Sequence, residues 1–241
     1  MKIEIRELKE EDQFEMKVIY PADADGDIDF EELERLYREI ALIPDQTHSL
    51  NVGMATSMGE SFPDTDALVT FSPELTIGVR TADCVPIILY CSNPACVAVV
   101  HAGWKGTLGG ILDNVIDILE EHEVRVKDIY AVFGPSISMA NYEVDEELAS
   151  RFAEAGYDGQ IHCPEGPESK PHIDLQGVNV QRLLDRGVPL RNIKINEGCT
   201  FGSIRDDGSH IYQSHRRSGG RPGRNLTLTR LIRENITTVT E

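Results

Sequence analysis

Apolar and polar positions along this chain follow two periods, and the two interleave from one end to the other. MKIEIRELKEEDQFEMKVIY alternates charged and apolar residues, which predicts extended structure. DADGDIDFEELERLYREIALI places acids in a first turn and apolar residues after it, which predicts a helix entry. Its acidic start lacks the ligand alternation and length of a calcium loop. LTIGVRTADCVPIILYC (75–91) reads as extended, with Pro86 marking a sheet edge or a bulge. SNPA then makes a turn, and CVAVVHAGW reads as a buried strand.

In GTLGGILDNVIDILEEHEV, apolar residues at 108, 111, 112, 115, 116 and 119 have helical spacing, with Thr107 as the expected N-cap. DIYAVFGPSI predicts a short strand. YEVDEELASRFAEAG and GVNVQRLLDRG predict helices ending at glycine. IKINEGCTF and SHIYQSHRR predict further strands. No repeat or low-complexity linker interrupts the series. The expectation is a single α/β (α+β) domain over residues 1–241, with mixed sheet.

Charge and cysteine usage narrow the function classes. A formal net charge of −18 repels phosphate backbones, so no polymeric nucleic acid is expected as a partner. No apolar run reaches the ~20 residues of a membrane helix, so no membrane partner is expected. The charged N-terminus does not resemble a secretory signal, and a cytoplasmic location is expected. Five cysteines, an odd number without a CxxC pair, argue against a disulfide framework or zinc ribbon. SHRRSGGRPGR (214–224) opposes the acidic bias with Arg216, Arg217, Arg221 and Arg224, and marks a candidate site for a small anion.

Two segments carry a geometric argument for a metal. An even-length loop at SNPA sets Cys84 opposite either His101 or Gly103. Both registers put Cys84 and His101 on one face, within ~4.5–8 Å of each other. An odd-length loop would put them on opposite faces. Imidazole and thiolate suit zinc, with copper as the competing ion. His48, in DQTHSLNV, lies too far along the chain for spacing to place it.

TADCVPIILY followed by VVHAGWKGT resembles the laccase-domain family of purine nucleoside phosphorylases, formerly described as multicopper polyphenol oxidases. The likeness continues in QTH (46–48), DALVT (66–70), GPSI (134–137), YEV (142–144), CT (199–200) and the basic run. Ser49, Lys105 and Ser136 stand where the family commonly has glycine, arginine and cysteine. The resemblance implies a four-layer α/β/β/α fold and one Zn2+ held by His48, Cys84 and His101. It implies phosphorolysis of adenosine, inosine and methylthioadenosine, and deamination of adenosine to inosine, with purine nucleosides and phosphate as partners.

On this reading Gln46, Arg216 and Arg217 bind substrate or phosphate, while Asp83, Lys105 and Cys199 are the candidate catalytic residues. Asp83 is the candidate proton shuttle, although strand alternation turns it away from Cys84 unless a bulge intervenes. Trp104 is expected to pack behind the metal loop or stack on a base. His215 is a further candidate for touching phosphate. A copper-dependent polyphenol oxidase is the alternative, and the absence of a His-x-His motif counts against it. A non-catalytic metal- or nucleotide-binding protein is the other.

Overall fold

Alternation of side chains on two sets of strands builds two sheets that lie face to face. The computed structural model describes residues 3–10, 14–21, 35, 37–166, 168–221 and 223–232. The strands are β1 (Ile3–Glu10), β2 (Phe14–Pro21), β3 (Val52–Met54), β4 (Ala67–Thr70), β5 (Ile77–Thr81) and β6 (Val85–Ser92). They continue as β7 (Ala95–Ala102), β8 (Tyr130–Phe133), β9 (Ile161–His162), β10 (His172–Ile173), β11 (Ile193–Lys194) and β12 (Asn225–Leu231). The helices are α1 (Trp104–Gly109), α2 (Ile111–Glu121), α3 (Glu146–Glu154), α4 (Leu175–Asp185) and α5 (His215–Ser218).

One sheet has the order β11-β8-β6-β7-β4-β3 and the other β1-β2-β12-β5, while β9 and β10 pair separately. The six-stranded sheet is mixed, since β3–β4 and β8–β11 are parallel and the rest antiparallel. Odd-numbered residues of β6 and even-numbered residues of β7 point to one face. There Val85, Ile87, Leu89, Ala98 and Val100 pack with Ile111, Leu112, Val115 and Ile116 of α2 and Leu175 and Val178 of α4. The opposite face carries Ile88, Tyr90, Val97 and Val99 against Phe14, Met16, Ile77 and Val79 of the four-stranded sheet. Beyond that sheet, Ile19, Leu226 and Leu228 pack on Tyr37, Ala41 and Ile43. Tyr37 belongs to a helical turn. The layers therefore run helix, sheet, sheet, helical turn, as the α/β/β/α expectation has it.

Several local expectations need correction. Pro86 lies in a central strand, not at an edge, because β6 is flanked by β7 and β8. Its carbonyl accepts the Gly134 N–H at 2.8 Å, just past the end of β8. Gly134's own carbonyl, which a residue with an N–H would fill, instead takes Gln176 Nε2 at 3.5 Å. The missing donor is replaced by a side chain of α4.

Thr107 is not an N-cap. The helix starts earlier, with Gly103 as cap, and breaks at Gly110 in the left-handed region (φ 86°) before α2. Thr107 is buried and accepts from Asn179 Nδ2 at 2.9 Å. SHIYQSHRR holds no strand: an Ile204–His210 bridge closes the loop at its start and its last three residues open α5, and only Ile193–Lys194 of IKINEGCTF is strand. The helix entry expected over DADGDIDFEE lies outside the described residues. No helix among the described residues is long and apolar enough to cross a membrane.

Candidate metal centre

The β6–β7 register decides between the two hairpin possibilities. Ser92 faces Ala95 across a two-residue loop, and the ladder runs to Val85 facing Ala102. Continued one step, this register sets Cys84 opposite Gly103, so His101 is its diagonal neighbour. His101 shares its face of β7 with Val97 and Val99, the face turned toward the second sheet. The centre therefore sits at one end of the space between the sheets.

β4 brings a residue that the motif reading overlooked. Ala67 pairs with Val100, and the His101 N–H donates to the Asp66 carbonyl at 2.8 Å, so Asp66 is the cross-strand neighbour of His101. Asp66 is fully buried. Its Oδ1 lies 2.6 Å from His101 Nδ1 and accepts the His48 N–H at 3.1 Å. Its Oδ2 accepts the Thr47 and Ser49 N–H groups at 3.1 and 2.7 Å and the Ser49 hydroxyl at 2.8 Å. Burial opposes the charge, but the bonds from His101, Ser49 and Thr47 outweigh it and hold this carboxyl at about 2. With its one hydroxyl proton given to Asp66, Ser49 Oγ accepts the Asn51 N–H at 3.2 Å and so fastens the loop.

The same loop is laid along the exposed side of β5. Leu42 bridges Ile77 there, and Gln46 continues the pairing with its side chain. Gln46 Nε2 donates to the Arg80 carbonyl and its Oε1 accepts the Arg80 N–H, both at 2.8 Å. An amide side chain thus imitates a strand neighbour. His48 follows in the left-handed region (φ 63°), a conformation tolerable here because Asp66 grips the amides on both sides.

One ligand atom each from His48, Cys84 and His101 lies within 4.8 Å of the others. Cys84 Sγ stands 3.8 Å from His48 Nε2. Burial pushes the Cys84 thiol up, but the imidazoles of His101 and His48 outweigh it and bring it well below its ordinary value. Burial likewise depresses His101, and the Cys84 sulfur and Asp66 overcome this to raise it. With His101 Nδ1 directed to Asp66, Nε2 remains for a cation. Two imidazoles and a thiolate of this spacing suit a tetrahedral metal with one position open.

Gly103 leaves the room this requires. A methyl group there would stand 2.7 Å from His48 Cδ2 and 3.0 Å from Cys84 Sγ. Gly103→Ala is therefore expected to displace both donors at an overpacking cost of about 1–3 kcal/mol, lowering the affinity for a metal ion roughly tenfold or more. Chelator competition on the folded variant measures this.

The three donors open onto a cleft of about 390 Å3, also lined by Gln46, Arg80, Ala82, His215 and Arg224. The other expected site residues fall around it. Asp83 is buried in the left-handed region (φ 86°), which breaks the strand alternation ahead of β6. Its carboxylate accepts the Thr200 hydroxyl and the Arg216 N–H, both at 2.7 Å. Arg217 donates to the carbonyls of Thr200, Phe201 and Tyr212 at 2.7, 2.9 and 2.5 Å. Arg216 donates to the Glu143 carbonyl at 2.8 Å and stacks over Tyr142.

Lys105 is exposed, with its ammonium 5.6 Å from the Trp104 ring, and Trp104 packs on the helical side of the core. Cys199 Sγ accepts from Ser138 N and Oγ, Asn141 Nδ2 and Gly202 N at 3.2–3.4 Å. Burial raises this thiol, but those bonds prevail and lower it. None of Asp83, Lys105, Cys199, Arg216 and Arg217 is among the residues lining the cleft. Arg80 and Arg224 are the arginines that are. Arg80 carried no signal beyond its place beside TADC, whereas Arg224 belongs to the basic run.

Residues 30–232 match the family model described as multi-copper polyphenol oxidoreductase laccase. A purine nucleoside phosphorylase of Bacteroides thetaiotaomicron is 34% identical over 200 residues, covering 78% of this chain and 72% of that protein. Adenosine deaminase RL5, from an unknown prokaryotic organism, is 36% identical over 196 residues, covering 77% and 73%. The crystal structure of YlmD from Geobacillus stearothermophilus superposes with a TM-score of 0.69 at 27% identity, covering 84% of this chain and 78% of that one. Bacillus licheniformis YfiH, a hypothetical protein 23% identical, has the same fold with a TM-score of 0.76 over 90% and 92% of the chains.

Proposed function

This chain belongs to the multi-copper polyphenol oxidoreductase laccase family, and from that premise we propose that it is a zinc-dependent purine nucleoside enzyme. It cleaves adenosine, inosine and methylthioadenosine with phosphate, releasing the base and the corresponding ribose 1-phosphate, and it deaminates adenosine to inosine. The observation that carries the reading is the cleft, where a His–Cys–His donor set, two arginines and a further imidazole line one volume typical of small-ligand sites. The names of the relatives supply the purine chemistry.

His48, Cys84 and His101 would hold a metal that, when bound, would supply Lewis acidity to water or a substrate atom. Phosphorolysis also needs an anion held in line with the anomeric carbon. Arg80 and Arg224 are the lining cations for that task, and both are permanently charged with donors matched to phosphate oxygens. Gln46 fixes the Arg80 backbone, and the Arg80 guanidinium donates to the Pro44 carbonyl at 3.1 Å, which limits where the head can move. The anion role of the basic run then rests on Arg224, with Arg216 and Arg217 holding the surrounding loops. His215, the remaining imidazole of the cleft, serves as proton donor to the departing base.

The donor set also bears on the copper oxidase alternative. Among the described residues, one group of His, Cys, Asp and Glu side chains offers three ligand atoms at metal-binding spacing. A multi-copper electron relay needs several.

The test is incubation of the zinc-loaded protein with adenosine and with inosine, with and without phosphate. Free base and ribose 1-phosphate are expected only with phosphate, and inosine is expected from adenosine without it. Neither product above the background of Cys84→Ala would overturn the assignment.

A further inference from the structure

Asp66 touches both histidine elements of the donor set, and the proposed roles above do not use it. We propose that Asp66 is the positioning residue of the centre. It fixes the His101 ring with Nε2 toward the metal and seats His48 in its left-handed turn; the proposal rests on the metal reading given above. Its two oxygens receive five hydrogen bonds, from His101 Nδ1, the His48, Thr47 and Ser49 amides, and the Ser49 hydroxyl.

Every one of these partners can donate, so only a charged carboxylate, which is acceptor on both oxygens, satisfies them together. The residue is wholly buried, and water cannot substitute for a lost bond. β4 and β7 are covalently remote from the 47–49 loop. One side chain therefore couples a rigid sheet position to a loop that has no strand pairing of its own at His48. A preformed pair of imidazoles results, and the thiolate completes it from the adjoining hairpin end.

Asparagine at this position is nearly the same shape but carries one donor group in place of an acceptor. If its NH2 faces His101, the ring must accept at Nδ1 and carry its proton on Nε2, the atom the metal requires, and the His48 amide is orphaned. If its NH2 faces the loop, the Thr47 and Ser49 donors are orphaned instead, and His48 loses its seat. Either orientation damages at least one of the two histidine donors although all three ligand residues are still present.

The experiment measures Zn2+ affinity by chelator competition for the wild-type chain, Asp66→Asn and Cys84→Ala, with circular dichroism to establish folding. The His101 ring nitrogens of the zinc-loaded wild-type protein are read by 15N nuclear magnetic resonance. Asp66→Asn is expected to fold and to bind Zn2+ about 10–100-fold more weakly, the usual effect of removing a carboxylate behind a ligating histidine. The wild-type ring is expected to be protonated at Nδ1. Affinity within about threefold of wild type in folded Asp66→Asn, or a proton on Nε2 of the wild-type ring, would overturn the proposal. If Asp66→Asn fails to fold, the wild-type ring spectrum decides alone. Wild-type affinity in Cys84→Ala is a separate outcome: it removes the metal reading itself, and the positioning role falls with it.

Discussion

Cys84→Ala is expected to lose Zn2+ binding and, with it, turnover of adenosine and inosine by about 1000-fold or more, while the fold persists. The direction follows from the donor set. Alanine leaves two imidazoles and no anionic ligand, and a catalytic zinc site requires three protein donors beside its open position. The size follows from what an electrophile contributes, since removing even one preorganised donor to developing charge costs about 100–1000-fold in rate. Stability should change little, because Cys84 is only half-buried at the end of β6 and takes no part in the sheet ladder. Metal content by elemental analysis, with initial rates at saturating substrate, checks the prediction. A variant that keeps one equivalent of metal and its rate would remove the centre from the reaction.

Arg80→Ala, and separately Arg224→Ala, divide the two activities. Phosphorolysis is expected to fall about 100–1000-fold in each variant, since each removes a charge-assisted anchor for phosphate. Deamination of adenosine consumes no phosphate and is expected to stay within a few fold. Arg80 still has its backbone paired with Gln46 after truncation, so the loop carrying His48 keeps its support. The matched control is Arg217→Ala, whose guanidinium is spent on the carbonyls of Thr200, Phe201 and Tyr212. It should lower thermal stability and affect both activities alike. Equal losses of both activities in Arg80→Ala and Arg224→Ala would sink the phosphate assignment. Rates measured over a range of phosphate concentration separate weaker anion binding from slower chemistry.

The site was partly legible before any fold was known. An apolar strand, an even-length turn at SNPA and a second apolar strand bring Cys84 and His101 to one face in either even register, because strand side chains have period two. That the turn is even, with two residues, is seen only in the ladder. The choice of Gly103 over His101 as the residue facing Cys84 needed the ladder itself. Asp66 was written in the chain as a lone acid heading an apolar strand, DALVT. Only pairing of β4 with β7 showed that His101 is its neighbour. β12 went unread although Leu226 and Leu228 alternate with Thr227 and Thr229. Threonine signals a solvated face, yet both faces of β12 are buried here, one between the sheets and one under Tyr37, Ala41 and Ile43.

The errors share a physical origin. Pro86 suggests an edge because it lacks a donor, and the sheet tolerates it internally because Gln176, remote in sequence, takes the carbonyl left over. The basic run suggests one anion site because its charges are contiguous. The short turn of α5 sends Arg217 into carbonyls, Arg216 over Tyr142 and His215 to the cleft lining, while Arg224 reaches the cleft from the residue before β12.

By itself, the sequence offered a thiol and an imidazole, Cys84 and His101, that an even-length hairpin puts on one face, and the family resemblance added the second imidazole, His48. The sequence also determined the interleaved α/β pattern that closes two sheets on each other. The tertiary structure alone brought His48 to that hairpin, chose Arg80 and Arg224 to face it, and placed Asp66 behind both histidines. The reason is that periodicity acts over neighbouring residues. A carboxylate gripping a loop 17 residues before it and a ring 35 residues after it depends on which strands pair, and pairing is decided by the packing of the whole core.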